Sequence, residues 1–131
     1  MTELVPGLVG GRRIVVTEDL TAKHLGSGNV LVFATPAMIM LMEKTALSSV
    51  DPLLPVGQQT VGIAVDVRHL AATPMGMSVR ARTELLEVDG RRLRFRVEAF
   101  DEQEKIGEGY HERFIIDVDR FQQKVAAKQP Q

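Results

Sequence analysis

The residues best equipped for chemistry are Thr35, Glu43 and His69. The run Thr35-Pro36-Ala37-Met38-Ile39-Met40-Leu41-Met42-Glu43 sets one carboxylate after two apolar helical turns. A carboxylate in apolar surroundings is costly unless it is paired or used. His69 follows Val61, Ile63, Val65 and Val67 at alternate positions, so period two predicts that its imidazole shares their face. A Glu within reach of a His and a hydroxyl is a minimal set for activating water or steadying a nucleophile. The chemistry implied is hydrolysis. Plainer readings stand beside it. Glu43 precedes Lys44 and Thr45, where the helix meets water, and a lone His on an apolar strand face is most often a hydrogen-bonded core residue. Thr35 makes a good helix cap with Pro36 at the first helical position. A helix start also presents free N–H groups to a carbonyl oxygen, so cap and site are compatible roles.

Other titratable groups read more plainly. His111-Glu112-Arg113 places His111 and Arg113 on the face of Gly107 and Gly109, and is expected to be cross-strand pairing on a half-exposed sheet. Arg92, Arg94 and Arg96 alternate with Leu93, Phe95 and Val97, which reads as a solvated basic face, the alternative being an anion-facing patch for a phosphorylated handle. His24, His69 and His111 lack metal-ligand spacing, so no metal is expected, and neither a phosphate-binding Gly loop nor a serine elbow occurs.

The elements that must position these groups are legible from periodicity. A first strand is predicted over 12–17, a short helical segment up to Leu25 stopping at Gly26, and the main helix over 36–49. A helix apolar nearly all round needs wrapping, and the strands that follow should supply it. These are predicted over 60–69, 76–88 and 105–117, with a strand through Leu93, Phe95, Val97 and Ala99 returning from an Asp89-Gly90 turn. A closing helix is predicted over 117–128. The expected class is α+β, an apolar helix gripped by a curled antiparallel sheet. At 131 residues one domain is expected, with 1–10 and 126–131 loosely ordered.

Composition narrows the partners. A formal net charge of -1 offers no general attraction for nucleic acid or an anionic membrane. The absence of Cys excludes disulfides and a thiolate nucleophile. No export signal or spanning segment is predicted, and a cytoplasmic protein is expected.

Several blocks carry a family likeness. They are Phe33-Ala34-Thr35 leading to Leu41-Met42-Glu43, and Val65-Asp66-Val67-Arg68-His69-Leu70-Ala71-Ala72-Thr73-Pro74. Further on come Gly90-Arg91-Arg92-Leu93 and Ile106-Gly107-Glu108-Gly109-Tyr110-His111-Glu112-Arg113. With the order of elements, these resemble the hotdog-fold thioesterases, more narrowly the fluoroacetyl-CoA thioesterase-like group, over about residues 10–125. The resemblance implies a hotdog fold, an acyl-CoA substrate with a small or medium acyl group, and Thr35, Glu43 and His69 as the catalytic set. It places the Gly62 backbone near the thioester, with Pro36 and Ala37 as substrate-binding neighbours of Thr35. Coenzyme A is then part of the substrate, and no cofactor is expected. In fluoroacetyl-specific enzymes a longer segment before Phe33 carries aromatic lid residues. Here Leu25-Gly26-Ser27-Gly28-Asn29 is short and has none, so fluoroacetate selectivity is not expected. The alternative function is a hotdog module that binds acyl-CoA or another apolar ligand without turnover.

Thr35 and Glu43 stand eight positions apart. That is roughly 12 Å along a helix, too far for both to reach one thioester carbon from a single helix unless the Thr35 loop folds back. A two-fold homodimer with neighbouring helices antiparallel would bring Glu43 of one chain beside Thr35 of the other, as in hotdog relatives.

Overall fold

The structure, a computed structural model, describes residues 3–130. Strand β1 (Val9–Val15) leads through a 3₁₀ turn (Glu18–Leu20) and the one-turn helix α1 (Ala22–Leu25) to the main helix α2 (Thr35–Val50). Strands β2 (Gln58–His69), β3 (Ser78–Asp89), β4 (Arg92–Phe100) and β5 (Lys105–Asp117) follow, and α3 (Val118–Ala126) closes the chain. The five strands form one antiparallel sheet in the order β1-β3-β4-β5-β2, curled around α2. This is the expected α+β arrangement. Of the ends expected to be loose, residues 1, 2 and 131 lie outside the described residues, while Val9 and Gly10 already pair in β1.

The inner face of the sheet is built as period two predicts. Val79, Ala81, Thr83 and Leu85 of β3 and Leu93, Phe95, Val97 and Ala99 of β4 are all buried against α2. From the helix come Ala37, Met38, Leu41, Met42, Ala46 and Val50. Each of the larger side chains contributes about 2 kcal/mol by leaving water. The turn between β3 and β4 places Gly90 at φ +60, a conformation that favours glycine. On β5 the glycines admit close neighbours: a Cβ at Gly107 would run into Met38 Sδ, and one at Gly109 into the β2 backbone.

Two expectations need correction. The sheet leaves one side of α2 uncovered. Met40 is 55% exposed, Pro36 is also exposed, and Ile39, Glu43 and Leu47 are half-buried. The second concerns β2, which has no partner on its far edge among the described residues. Gly62 pairs with Arg113 and Ala64 with Glu112, so Ile63 is an inserted residue, a β-bulge. Cross-strand partners share a face, and one extra residue reverses every side chain beyond it. Thr60 and Gly62 therefore face α2 before the bulge, and Val65, Val67 and His69 after it. Val61 pairs with Phe114 on the outer face, so Val61 and Ile63 do not share the face of His69.

Candidate active site

The first residue group lies where α2 begins. The N-cap is Ala34, in extended conformation, and Thr35 is the first helical residue; the expected threonine cap is displaced by one position. The Thr35 hydroxyl is thereby free of capping and meets His69 Nδ1 at 2.8 Å. Helix geometry leaves the N–H groups of Thr35 and Ala37 without intrahelical acceptors, Pro36 having none to offer, while Met38 N–H donates to Ala34 O. Thr35 and Pro36 are exposed and Ala37 is buried.

His69 sits at the last position of β2 with Phe33 edge-on to its ring, centroids 6.5 Å apart. Burial holds its pKa below the ordinary histidine value, which favours the neutral ring. Its Nε2 is buried and finds no hydrogen-bond partner among the described residues. Beside the Thr35–His69 pair opens a cleft of about 350 Å³, lined by Ala22, Val32, Phe33, Leu70 and Ala71 among others.

Glu43 belongs to a second group, two turns further along α2. Its side chain, 38% exposed, reaches over β2 toward Arg113, with Oε2 to Nη1 at 3.7 Å. Gly62 lies directly beneath: a Cβ there would stand 2.5 Å from Glu43 Oε2, 3.3 Å from His111 Cε1 and 3.4 Å from Arg113 Nη1. The absence of a side chain at Gly62 is what lets the three groups converge. Within one chain, then, Thr35 and His69 are brought together, and Glu43 and Gly62 are brought together elsewhere.

The expectation of a half-exposed His111-Glu112-Arg113 surface is wrong for two of its residues. His111 is 1% and Arg113 4% exposed, while Glu112 faces outward and pairs with Arg92. The sign was present in the chain. His111 and Arg113 share a face with Gly107 and Gly109, and Gly107 is where Met38 and Met42 of α2 press closest. Asp51 and Thr60, which back Arg113, carried no comparable signal.

The sequence matches the fluoroacetyl-CoA-specific thioesterase family over residues 16–119. The chain belongs to that family. It is 44% identical over 99 residues to the fluoroacetyl-CoA thioesterase of Streptantibioticus cattleyicolor, covering 76% of this chain and 71% of the relative. The solved structure of the fluoroacetyl-CoA thioesterase FlK superposes with a TM-score of 0.92 at 37% identity, over 98% of this chain and 100% of that one. A Thermus thermophilus hypothetical protein described as a thioesterase superfamily member gives 0.89 at 30% identity, over 97% and 94% of the two chains. The fold is accordingly the hotdog fold, and the family's activity is thioester hydrolysis.

Proposed function

We propose that this protein hydrolyses acyl-CoA thioesters of small or medium acyl length at a site assembled from two copies of the chain. The observation that carries the reading is the 2.8 Å contact between Thr35 Oγ1 and His69 Nδ1 at the mouth of a cleft, in a family of thioesterases. A point mutant of the relative FlK has been captured with acetyl-CoA, which supports the same substrate class here.

The two residue groups support the shared site. Thr35 and Glu43 are about 12 Å apart along α2, and Gly62 and His69 roughly 23 Å apart along β2. Each chain thus carries two incomplete halves, one at the start of α2 and the end of β2, the other near the middle of both. Among the described residues the far edge of β2 offers unpaired backbone groups, with Ile63 51% and Val65 41% exposed, and Met40 of α2 is uncovered too. A two-fold axis near the middle of β2 would extend the sheet across both copies and cover these apolar groups. It would also bring Glu43 of one protomer to the Thr35–His69 pair of its partner.

In this arrangement the free N–H groups at Thr35 and Ala37, with the Thr35 hydroxyl, bind the thioester oxygen as it gains charge. Pro36 shapes the entrance, and the Gly62 backbone lines the opposite wall. Glu43, with the partner's imidazole, removes a proton from the attacking water, or attacks the carbonyl itself to form an anhydride that water then opens. Either way the C–S bond breaks and coenzyme A leaves as the thiol. The chemistry calls for no cofactor, and the place of action on this reading is the cytoplasm. Thiol release from a panel of acyl-CoAs, followed beside direct binding, tests it. Turnover on short or medium chains is expected; binding without thiol release would reject hydrolysis.

A further inference from the structure

The least expected feature of the molecule is a buried chain of polar contacts behind Glu43. Arg113 spends three of its five N–H donors on groups other than the carboxylate. Nε–H donates to Thr60 Oγ1 at 2.7 Å, Nη2–H to Thr60 O at 2.9 Å, and Nη1–H to His111 Nε2 at 3.2 Å. The Thr60 hydroxyl donates onward to Asp51 Oδ1 at 2.6 Å, where α2 ends, and Thr60 N–H donates to Asp51 Oδ2 at 3.4 Å.

The direction of every proton in this chain is settled by chemistry. A carbonyl only accepts, so the 2.8 Å contact of His111 Nδ1 with Ala64 O puts a proton on Nδ1. Burial lowers the His111 pKa and favours the neutral ring, in which Nε2 offers a lone pair to the Arg113 Nη1–H. The guanidinium is thus gripped on two sides. Its distance of 3.7 Å from Glu43 Oε2 is an ion pair beyond hydrogen-bond reach. A closed bidentate pair would occupy the oxygen lone pairs that a base or nucleophile needs.

We propose that Asp51, Thr60 and His111 are positioning residues that hold Arg113 short of a closed pair with Glu43. The cation then orients the carboxylate while leaving its oxygens free to take a proton or to attack. This rests on Glu43 being the base or nucleophile of the thioesterase site. Ala64 adjoins the β2 bulge, so His111 also ties the inserted turn of the strand to the charge it serves.

The test compares paired variants by kcat and KM on acetyl-CoA, with circular dichroism and thermal melts for folding. Thr60→Val keeps the shape and removes the hydroxyl; Thr60→Ser keeps the hydroxyl. His111→Leu removes the acceptor; His111→Gln puts an amide oxygen in its place. Thr60→Val and His111→Leu are expected to lose turnover about 10- to 100-fold with KM little changed, the scale of a misplaced reacting group. The serine and glutamine variants should recover to within about threefold of the parent, and Thr60→Val should cost nothing further in an Arg113→Lys background. Folded Thr60→Val and His111→Leu proteins at parental turnover would overturn the proposal, as would equal losses in the conservative variants. Where one break variant fails to fold, the other pair decides. If neither folds, Asp51→Asn is read instead, and parental turnover there counts against the idea. Glu43→Gln is run alongside. Parental activity in that variant defeats the role of Glu43 itself, an outcome distinct from normal turnover in the Thr60 and His111 variants alone.

Discussion

Gly62 and His69 are seven positions apart on one strand, an odd separation, yet both face α2. In a regular strand an odd separation puts two residues on opposite faces. The bulge at Ile63 restores the match, so the residue beneath Glu43 and the partner of Thr35 line the same side of the sheet.

Deleting Ile63 should therefore cost more than a surface residue usually does. Without the insertion, Val65, Val67 and His69 turn outward or the register with β5 slips, and His69 leaves Thr35. Turnover is expected to fall by at least about 100-fold. Hydrolysis at near-parental rate in the deletion variant would show that the bulge does not set the face of His69.

Gly62→Ala is a milder probe of the same wall. Its methyl group would stand 2.5 Å from Glu43 Oε2 and must push the carboxylate aside. A loss of about 10- to 100-fold in kcat with an unchanged melting temperature is expected, since the flexible Glu43 side chain can yield without disturbing the core. Steady-state kinetics on acetyl-CoA settle it.

Glu43→Gln and His69→Ala should each lower turnover by roughly 10²–10⁴ with the fold intact. Co-refolding Thr35→Ala with Glu43→Gln then examines the shared site. In a mixed dimer one site regains both native groups while the other loses both. Random pairing makes half the dimers mixed, so recovery to about a quarter of parental activity is expected. No recovery, in a preparation shown to contain mixed dimers, would put both residues in a single-chain site.

Discrimination between fluoroacetyl and acetyl thioesters should be slight. The segment from Leu25 to Asn29 carries no aromatic side chain, and the cleft beside Thr35 and His69 is bordered by Ala22, Ser27 and Val32, with Phe33 beyond that segment. The ratio of kcat/KM for the competing substrates measures this. A preference of several hundredfold would mean that another part of the site selects for fluorine.

Acid should destabilise the fold through two imidazoles. Burial holds His69 and His111 below the ordinary value of 6.5, so the unfolded chain takes up protons more readily than the folded one. Stability then rises with pH from the lowered folded-state values up to about 6.5 and levels off above it. Melting curves between pH 5 and 8 should show this, with a shallower acid slope in His111→Gln. An acid slope unchanged by that substitution would exclude His111 as a source.

The sequence by itself determined the order of elements, the turn at Gly90, the inner faces of β3 and β4, and the identities of Thr35, Glu43 and His69 as the groups to watch. These follow from period, turn chemistry and residue type, which act over a few positions of chain. Tertiary structure alone decided the rest. The bulge at Ile63 exists only in the register between β2 and β5, residues some fifty positions apart. The burial of His111 and Arg113 depends on which face α2 presses, and the uncovered side of the helix on where the sheet packs against it. Local signals pointed to Thr35 as the helix cap, but the cap falls on Ala34 and leaves the Thr35 hydroxyl free. Its bond to His69 spans 34 residues and depends on the packing of strand against helix.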